Sequence, residues 1–466
     1  MAQAQVSKAE LLTAEQMHED LDSLLNTIVQ SHPKPGGFAD LLTLETAFAY
    51  ASSAITESKT TIQFAEIVSA LMLTMHDSHS GMDYAQLQQM CLDEDGFVLP
   101  FASFGNTGKI YVNYDWEEKI PRGSRLLNIN GMSADSLLAR AMQFACTEGN
   151  ADDAQLAVAH ALMPLVASLY TPADSLNHIE IENIHTGNKE LVVLKGYAKK
   201  EYGKLRRQRN AMDEHKQMKL QWNENGTCAI LKVETFAPDK PGVYKRFIRS
   251  AFSEIADHNC DTLILDIRNN GGGSSSWVEY LYSFIDTAGY NTPSNVIAKN
   301  SQLARQRTKV LNKGFSKFIL RTFFGKNEDV ASFLRVADLP IGKLDTAFFT
   351  EKTIQKKNIV YTGRCYLLIN GLTASAGVDF TNAFMTKKRG LVVGRPCLGP
   401  HTGTWGNPAI YTLPQSELRV SIATIRYNYD NTFSYATEAI QPDVPVVQTP
   451  RSASAKSDAW LDAVRK

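Results

Sequence analysis

The chain has 466 residues, 44% of them hydrophobic and 21% charged, with a formal net charge of −1 at neutral pH. At roughly 100–200 residues per domain, this length makes two to four domains and supplies enough apolar side chains for a sizeable core. A net charge this small argues against nucleic acid as the main partner. No apolar run of about 18 residues is present to form an integral membrane segment.

The start, Met1-Ala-Gln-Ala-Gln5, has small residues at alternate positions, like the end of a trimmed secretory signal. We expect a periplasmic or secreted protein, with a cytoplasmic one as the alternative. Six cysteines, Cys91, Cys146, Cys228, Cys260, Cys365 and Cys397, are scattered without a C-x-x-C, which argues against a zinc ribbon or redox pair.

From about Ala9 to Met75 the chain reads helical. Leu21, Leu24, Leu25 and Ile28 recur at helical spacing, and His32-Pro-Lys-Pro-Gly-Gly37 is a break. Two further helices are expected near Leu41–Ser58 and Ile62–Met75. From Gly96 to about Lys199 the pattern turns partly β. Gly108–Tyr114 alternates like a strand, Ile120–Gly131 reads as turn, strand, turn, a helix follows near Ala134–Phe144, and strands return near Ile179–Leu194. Lys199–Glu224 is polar and reads as a linker or exposed helix.

Beyond it, Cys228–Glu234, Thr262–Ile267, Ile359–Ile369 and Leu391–Val393 are apolar, β-prone runs. They alternate with predicted helices at Pro241–His258, Ser275–Ile285 and Ala376–Thr386, which implies an α/β layered core. The last strands, near Ala409–Leu413 and Leu418–Tyr427, read as antiparallel. We expect a helical region over 1–90, a small β module over 91–200, an α/β core over 201–450 and a C-terminal tail over 451–466. The core carries a basic helical insert, 299–336. Its stretch 299–326 holds eight Lys and Arg with interleaved Phe and no acid, a solvated lid or a surface for acidic partners or membranes.

Three segments hold chemistry. Thr373-Ala-Ser375-Ala-Gly377 sets a serine between an apolar run and a helix, where free backbone N–H groups receive an anion. On its local sequence alone, a serine there is usually just a helix cap. Leu263-Ile-Leu-Asp-Ile-Arg-Asn-Asn-Gly-Gly-Gly273 ends a buried strand in three glycines, whose N–H groups suit a phosphate or a developing oxyanion, or simply a tight turn. It lacks the Lys-Ser/Thr of a Walker A loop and the spacing of a dinucleotide fingerprint. Met75-His-Asp-Ser-His-Ser-Gly81 offers histidine as general base; its alternatives are a surface cluster or two metal ligands, though no H-E-x-x-H occurs.

The glycine turn, then Asn370–Gly377, then Leu391-Val-Val-Gly-Arg-Pro396, then Ile440-Gln-Pro-Asp-Val-Pro445 follow in that order. Over about Gly226–Val447 the chain resembles the C-terminal-processing (tail-specific) serine proteases, which include the tricorn protease core. Asp77-Ser-His-Ser-Gly81 is similar to the motif of the histidine-using members, and Ile120–Gly131 to the turn and strand of the family's PDZ-like module. The resemblance implies a crotonase-like α/β core, an N-terminal helical region, a PDZ-like β module, and peptide hydrolysis through an acyl-enzyme without a cofactor or metal. Its partner is a peptide or unstructured protein.

By this resemblance Ser375 is the nucleophile, and the N–H groups of Ala376 and of Gly271 or Gly272 form the oxyanion hole. Where the best-known branch has a lysine base, this chain has Pro400, which takes no proton. The base then falls to His79 with Ser78 assisting, His401 being the rival. Glu438 is the nearest match for the acidic orienter. Two other readings share the scaffold: a non-catalytic peptide-binding protein and a crotonase-type acyl-CoA enzyme.

Overall fold

The computed structural model describes residues 7, 9–92, 96–106, 108–171, 175–211, 217–286, 294–307, 335–336, 338–348, 359–429, 436–455 and 457–465. The first six residues and most of the basic insert, 308–334, lie outside the described residues. The fold is mixed α/β, with several sheets and helices.

The N-terminal region, as far as Cys91, is mainly helical as its periodicity predicts. Thr13 and Gln16 form a reciprocal capping box at the start of Ala14–Ser31, whose Met17, Leu21, Leu24 and Ile28 are buried. Helices Leu41–Ser53 and Thr61–Leu73 follow. Next comes an antiparallel sheet of Lys189–Lys195, Leu176–Glu182, Arg125–Ile129, Lys109–Asp115 and Phe101–Asn106, in that spatial order. Helix Ala134–Phe144 lies where expected. Helix Asp152–Tyr170 was not anticipated. Its apolar residues run all round rather than in a stripe and Pro164 sits inside it, so it lacks a surface-helix signature because it is largely enclosed.

The core sheet has the order Met218–Trp222, Cys228–Val233, Thr262–Asp266, Arg364–Ile369, Leu391–Gly394, Val444–Pro445. Only the first pair is antiparallel. Alternation along each strand sends Leu263, Leu265, Leu367, Ile369 and Val392 into one apolar cluster with helices Pro241–Asp257, Ser275–Tyr282 and Ala376–Thr386. Ile264, Leu368 and Val393 face the other side, against Val446 and Trp460 of the C-terminal segment. The short strand Gly81–Met82 pairs with Val420 and Ser421 on strand Arg419–Ile422. That pairing carries the N-terminal histidine turn across to the C-terminal half of the chain.

Candidate active site

Two adjacent parallel strands deliver the two halves of the site, as ligands in α/β sheets gather at the carboxyl ends of strands. Thr262–Asp266 runs into the glycine turn and Arg364–Ile369 into the turn before Ser375. The turns are laced together. Asn269 and Asn370 exchange hydrogen bonds, with Asn269 N–H donating to Asn370 Oδ1 at 3.0 Å and Asn370 Nδ2 to Asn269 Oδ1 at 2.9 Å. Ala374 N–H donates to the Asn270 carbonyl at 2.9 Å, and Thr373 Oγ1 to the Ile267 carbonyl at 3.1 Å.

This lacing holds Ser375 in an uncommon backbone state, φ 51° and ψ −121°, at the start of helix Ala376–Thr386. For a residue with a Cβ this costs about 1–3 kcal/mol, and surrounding contacts have to sustain it. Ser375 makes no side-chain cap bond, so its hydroxyl is free for other work. Gly272 packs against it with φ 98°. A Cβ there would lie 2.6 Å from Ser375 Cβ and 2.8 Å from Ala376 N, so only glycine fits. The Gly272 N–H is already donated to Asn270 Oδ1 at 2.9 Å. Among the described residues, the N–H groups of Gly271 and Ala376 donate to no protein acceptor.

The structure brings His79 to Ser375 across 296 residues of sequence, with Nε2 3.3 Å from Oγ. The turn that presents it is built on Asp77. The Asp77 carboxylate accepts from His79 N–H at 2.8 Å, from the Ser80 hydroxyl, and from His32 Nε2 at 3.1 Å. His32 Nδ1 is taken by the Lys34 N–H at 3.1 Å, so the proton of His32 lies on Nε2. Burial by itself would push the Asp77 carboxyl up, but His32, His79 and Ser80 hold it below its ordinary value.

On the far side of the ring stands Glu148, which sequence reasoning missed. Its Oε2 accepts from Ser78 Oγ at 2.5 Å and Ser78 N–H at 2.9 Å, and lies 3.5 Å from His79 Nδ1. Its Oε1 accepts from Trp405 N–H at 2.7 Å and Thr404 Oγ1 at 2.9 Å. Ser78 Oγ is also 3.3 Å from His79 Nδ1. A hydroxyl has one proton, and a carboxylate can only accept it. Ser78 therefore donates to Glu148 and accepts from His79 Nδ1–H, which leaves Nε2 as an acceptor facing Ser375. Burial opposes a charge on His79, but Glu148, then Asp77 and Asp379, outweigh it and raise its pKa.

The other expected residues lie elsewhere. The side chain of Glu438 is exposed, its Oε1 3.5 Å from Asn150 Nδ2, although its backbone bridges Asn150, two residues from Glu148. The right segment is near, but among the described residues its carboxylate contacts the Asn150 side chain and not His79. His401 is an exposed residue whose Nδ1 lies 2.8 Å from Asn382 Oδ1, and burial lowers its pKa. Asp77, His79 and Glu148 offer three ligand atoms within 4.8 Å of one another. Protein N–H and O–H groups already occupy both oxygens of each carboxylate, a poor fit for a cation. No described helix is long and apolar enough to cross a membrane.

Residues 227–446 match the model of peptidase family S41. No curated protein matches the chain in sequence. A CPAF mutant crystal structure matches with a TM-score of 0.69 at 14% identity, covering 97% of this chain and 96% of that one. Mature CPAF matches with a TM-score of 0.63, also at 14% identity, over 97% of this chain and 96% of that one. At such identity the likeness is one of fold. The photosystem II D1 C-terminal processing protease is more distant, with a TM-score of 0.46 and 13% identity over 94% of each chain. Residues 227–446, just under half of the chain, thus match peptidase family S41, and the chain is a serine-type peptidase.

Proposed function

We propose that this protein hydrolyses peptide bonds through an acyl-enzyme on Ser375, with His79 as general base. The contact of 3.3 Å between His79 Nε2 and Ser375 Oγ carries the reading. It lies at the loose end of the range for a base and its nucleophile in an empty site.

In the first step Ser375 Oγ attacks the scissile carbonyl carbon while Nε2 takes its proton. The tetrahedral oxyanion is met by the N–H groups of Ala376 and Gly271. Collapse breaks the C–N bond, and the imidazolium returns the proton to the leaving amine. Water, deprotonated by His79, then releases the acid product and restores Ser375. Ser78 and Glu148 hold the ring in the tautomer that accepts at Nε2, the role expected of Glu438. Loss of one oxyanion donor lowers the rate about 100–1000-fold.

Residues 201–450 then serve as a crotonase-like catalytic core, and 91–200 as a PDZ-like module after the helical region 1–90. The antiparallel sheet of that module suits capture of an extended peptide, such as a protein's C-terminal tail, by strand addition. C-terminal processing in the periplasm or outside the cell is the setting we favour.

The test is cleavage of an unstructured protein, with labelling by an active-site phosphonate. We expect Ser375→Ala to abolish both and His79→Ala to lose nearly all turnover. Undiminished cleavage by either variant removes that residue from the mechanism. Peptide binding without cleavage by the wild type would instead mean a non-catalytic binding protein.

A further inference from the structure

Asp379 stands one turn into the helix that Ser375 caps, its N–H bonded to the Ser375 carbonyl at 3.1 Å. The residue is only 8% exposed. Its Oδ2 accepts a long hydrogen bond from Ser275 Oγ at 3.4 Å. Its Oδ1 is buried and has no partner among the described residues. An acid in the first turn of a helix is favourable, yet that benefit is available at the surface. Burying a carboxylate with an unsatisfied oxygen is costly, and asparagine or an apolar residue would cost less. Something beyond folding therefore explains the choice.

Position supplies it. Ser275 opens helix Ser275–Tyr282, which follows the glycine turn, while Asp379 belongs to the helix that follows the nucleophile. The Ser275–Asp379 bond thus spans the two arms of the oxyanion hole. The same carboxylate interacts electrostatically with His79.

We propose that Asp379 is a positioning residue that ties these two helices together and whose anion stabilises the imidazolium formed on His79 during attack. The proposal rests on His79 being the base for Ser375.

The charged and titratable surroundings are few. His79 faces Glu148 from the segment between helices Ala134–Phe144 and Asp152–Tyr170, Asp77 from its own turn, and Ser375, while the Asp379 charge acts on it from the nucleophile's helix. Asp77 in turn faces His32 and Ser80. Asp379 faces Ser275 and feels the charge of His79. Burial pushes the Asp379 carboxyl up to about 7, against the pull of Ser275 and His79. Two groups, His79 and Asp379, must then lose protons to reach the most active form.

The experiment is a pH profile of kcat/KM on a fluorogenic unstructured polypeptide, from about pH 5 to 9, a range that brackets both groups. For the wild type we expect an acid limb steeper than one proton. Asp379→Asn should reduce it to one proton and move its midpoint to lower pH, because an anion that favours protonated His79 is gone. That move should be smaller than in Glu148→Gln, since Glu148 acts more strongly on the ring. Ser275→Ala should move the second ionisation to higher pH, because it removes a bond that favours the Asp379 anion. A one-proton wild-type limb, or an Asp379→Asn profile unchanged in slope and midpoint, overturns the proposal. If Asp379→Asn does not fold, an unshifted Ser275→Ala profile does the same. His79→Ala separates the two readings: wild-type turnover there sinks the base assignment itself.

Discussion

Replacing Glu148 with Gln keeps the shape of the side chain and removes its charge. The carboxylate accepts two hydrogen bonds at each oxygen, one of each pair from a backbone N–H that cannot reverse: Ser78 N–H at Oε2 and Trp405 N–H at Oε1. Glutamine offers one acceptor oxygen and one NH2. Whichever way the amide turns, one backbone N–H faces an N–H. If the NH2 faces Ser78, the hydroxyl must accept from it and turn its own proton toward His79 Nδ1. The ring proton then sits on Nε2 and blocks acceptance from Ser375. The wrong tautomer of this kind costs about 10⁴-fold in a serine protease triad, and we expect about 10³–10⁴-fold in kcat here with KM little changed. The stranded N–H should cost about 1–3 kcal/mol of stability. Because Glu148 raises the pKa of His79, its loss should also move the acid limb of residual activity to lower pH. Steady-state kinetics, thermal unfolding and a pH profile read the three effects. Near wild-type kcat with an unmoved acid limb would refute the placement of Glu148 and with it the tautomer argument.

Gly272→Ala forces a Cβ to within 2.6 Å of Ser375 Cβ at a φ that disfavours side chains, so kcat should fall about 100-fold, as for a misplacement of about 1 Å at a reacting centre, with phosphonate labelling slowed in parallel. Asp458→Ala removes the bidentate pair with Arg268, at 2.9 and 2.8 Å, and the cap of the last helix, and should cost about 1–3 kcal/mol in denaturant unfolding. His401→Ala should leave the slope and midpoint of the pH profile unchanged, since its ring is engaged by Asn382; a lost acid limb would return it to candidacy as the base. His79 also links pH to stability: a histidine whose folded pKa is raised contributes stability that is full below its ordinary value of about 6.5 and is lost as pH rises through the raised value. The stability of wild type minus that of His79→Ala should therefore decline from slightly acid to alkaline pH.

The local elements were legible because each carries its own physics. The Ala376–Thr386 helix is bounded as the pattern predicts, and the strand before the glycine turn needs only its β-branched and apolar run to be read. Helix Asp152–Tyr170 was missed because apolar residues spread round most of its surface erase the amphipathic stripe. The carboxylate beside His79 and Ser78, Glu148, was missed for a different reason. Glu438 lies in the segment where the resemblance points, whereas Glu148 sits in Thr147-Glu-Gly149, between two helices, with nothing in its neighbours to mark it.

Ser375 and its glycine turn could be paired by order of motifs, since both end strands and both precede helices. That order also carried the family resemblance over the C-terminal half, where residues 227–446 match peptidase family S41. What the one-dimensional pattern cannot hold is direction. His79 reaches Ser375 because Gly81–Met82 pairs with a strand more than 300 residues on, and Glu148 reaches His79 because Thr404 and Trp405 take its other oxygen. These contacts depend on which side of a turn a side chain leaves, and long-range pairing decides that. Sequence picked out Ser375 as the candidate nucleophile, together with its turn, and excluded a lysine at Pro400. Tertiary structure decided which carboxylates act on the histidine, because charge works through distance in space rather than along the chain.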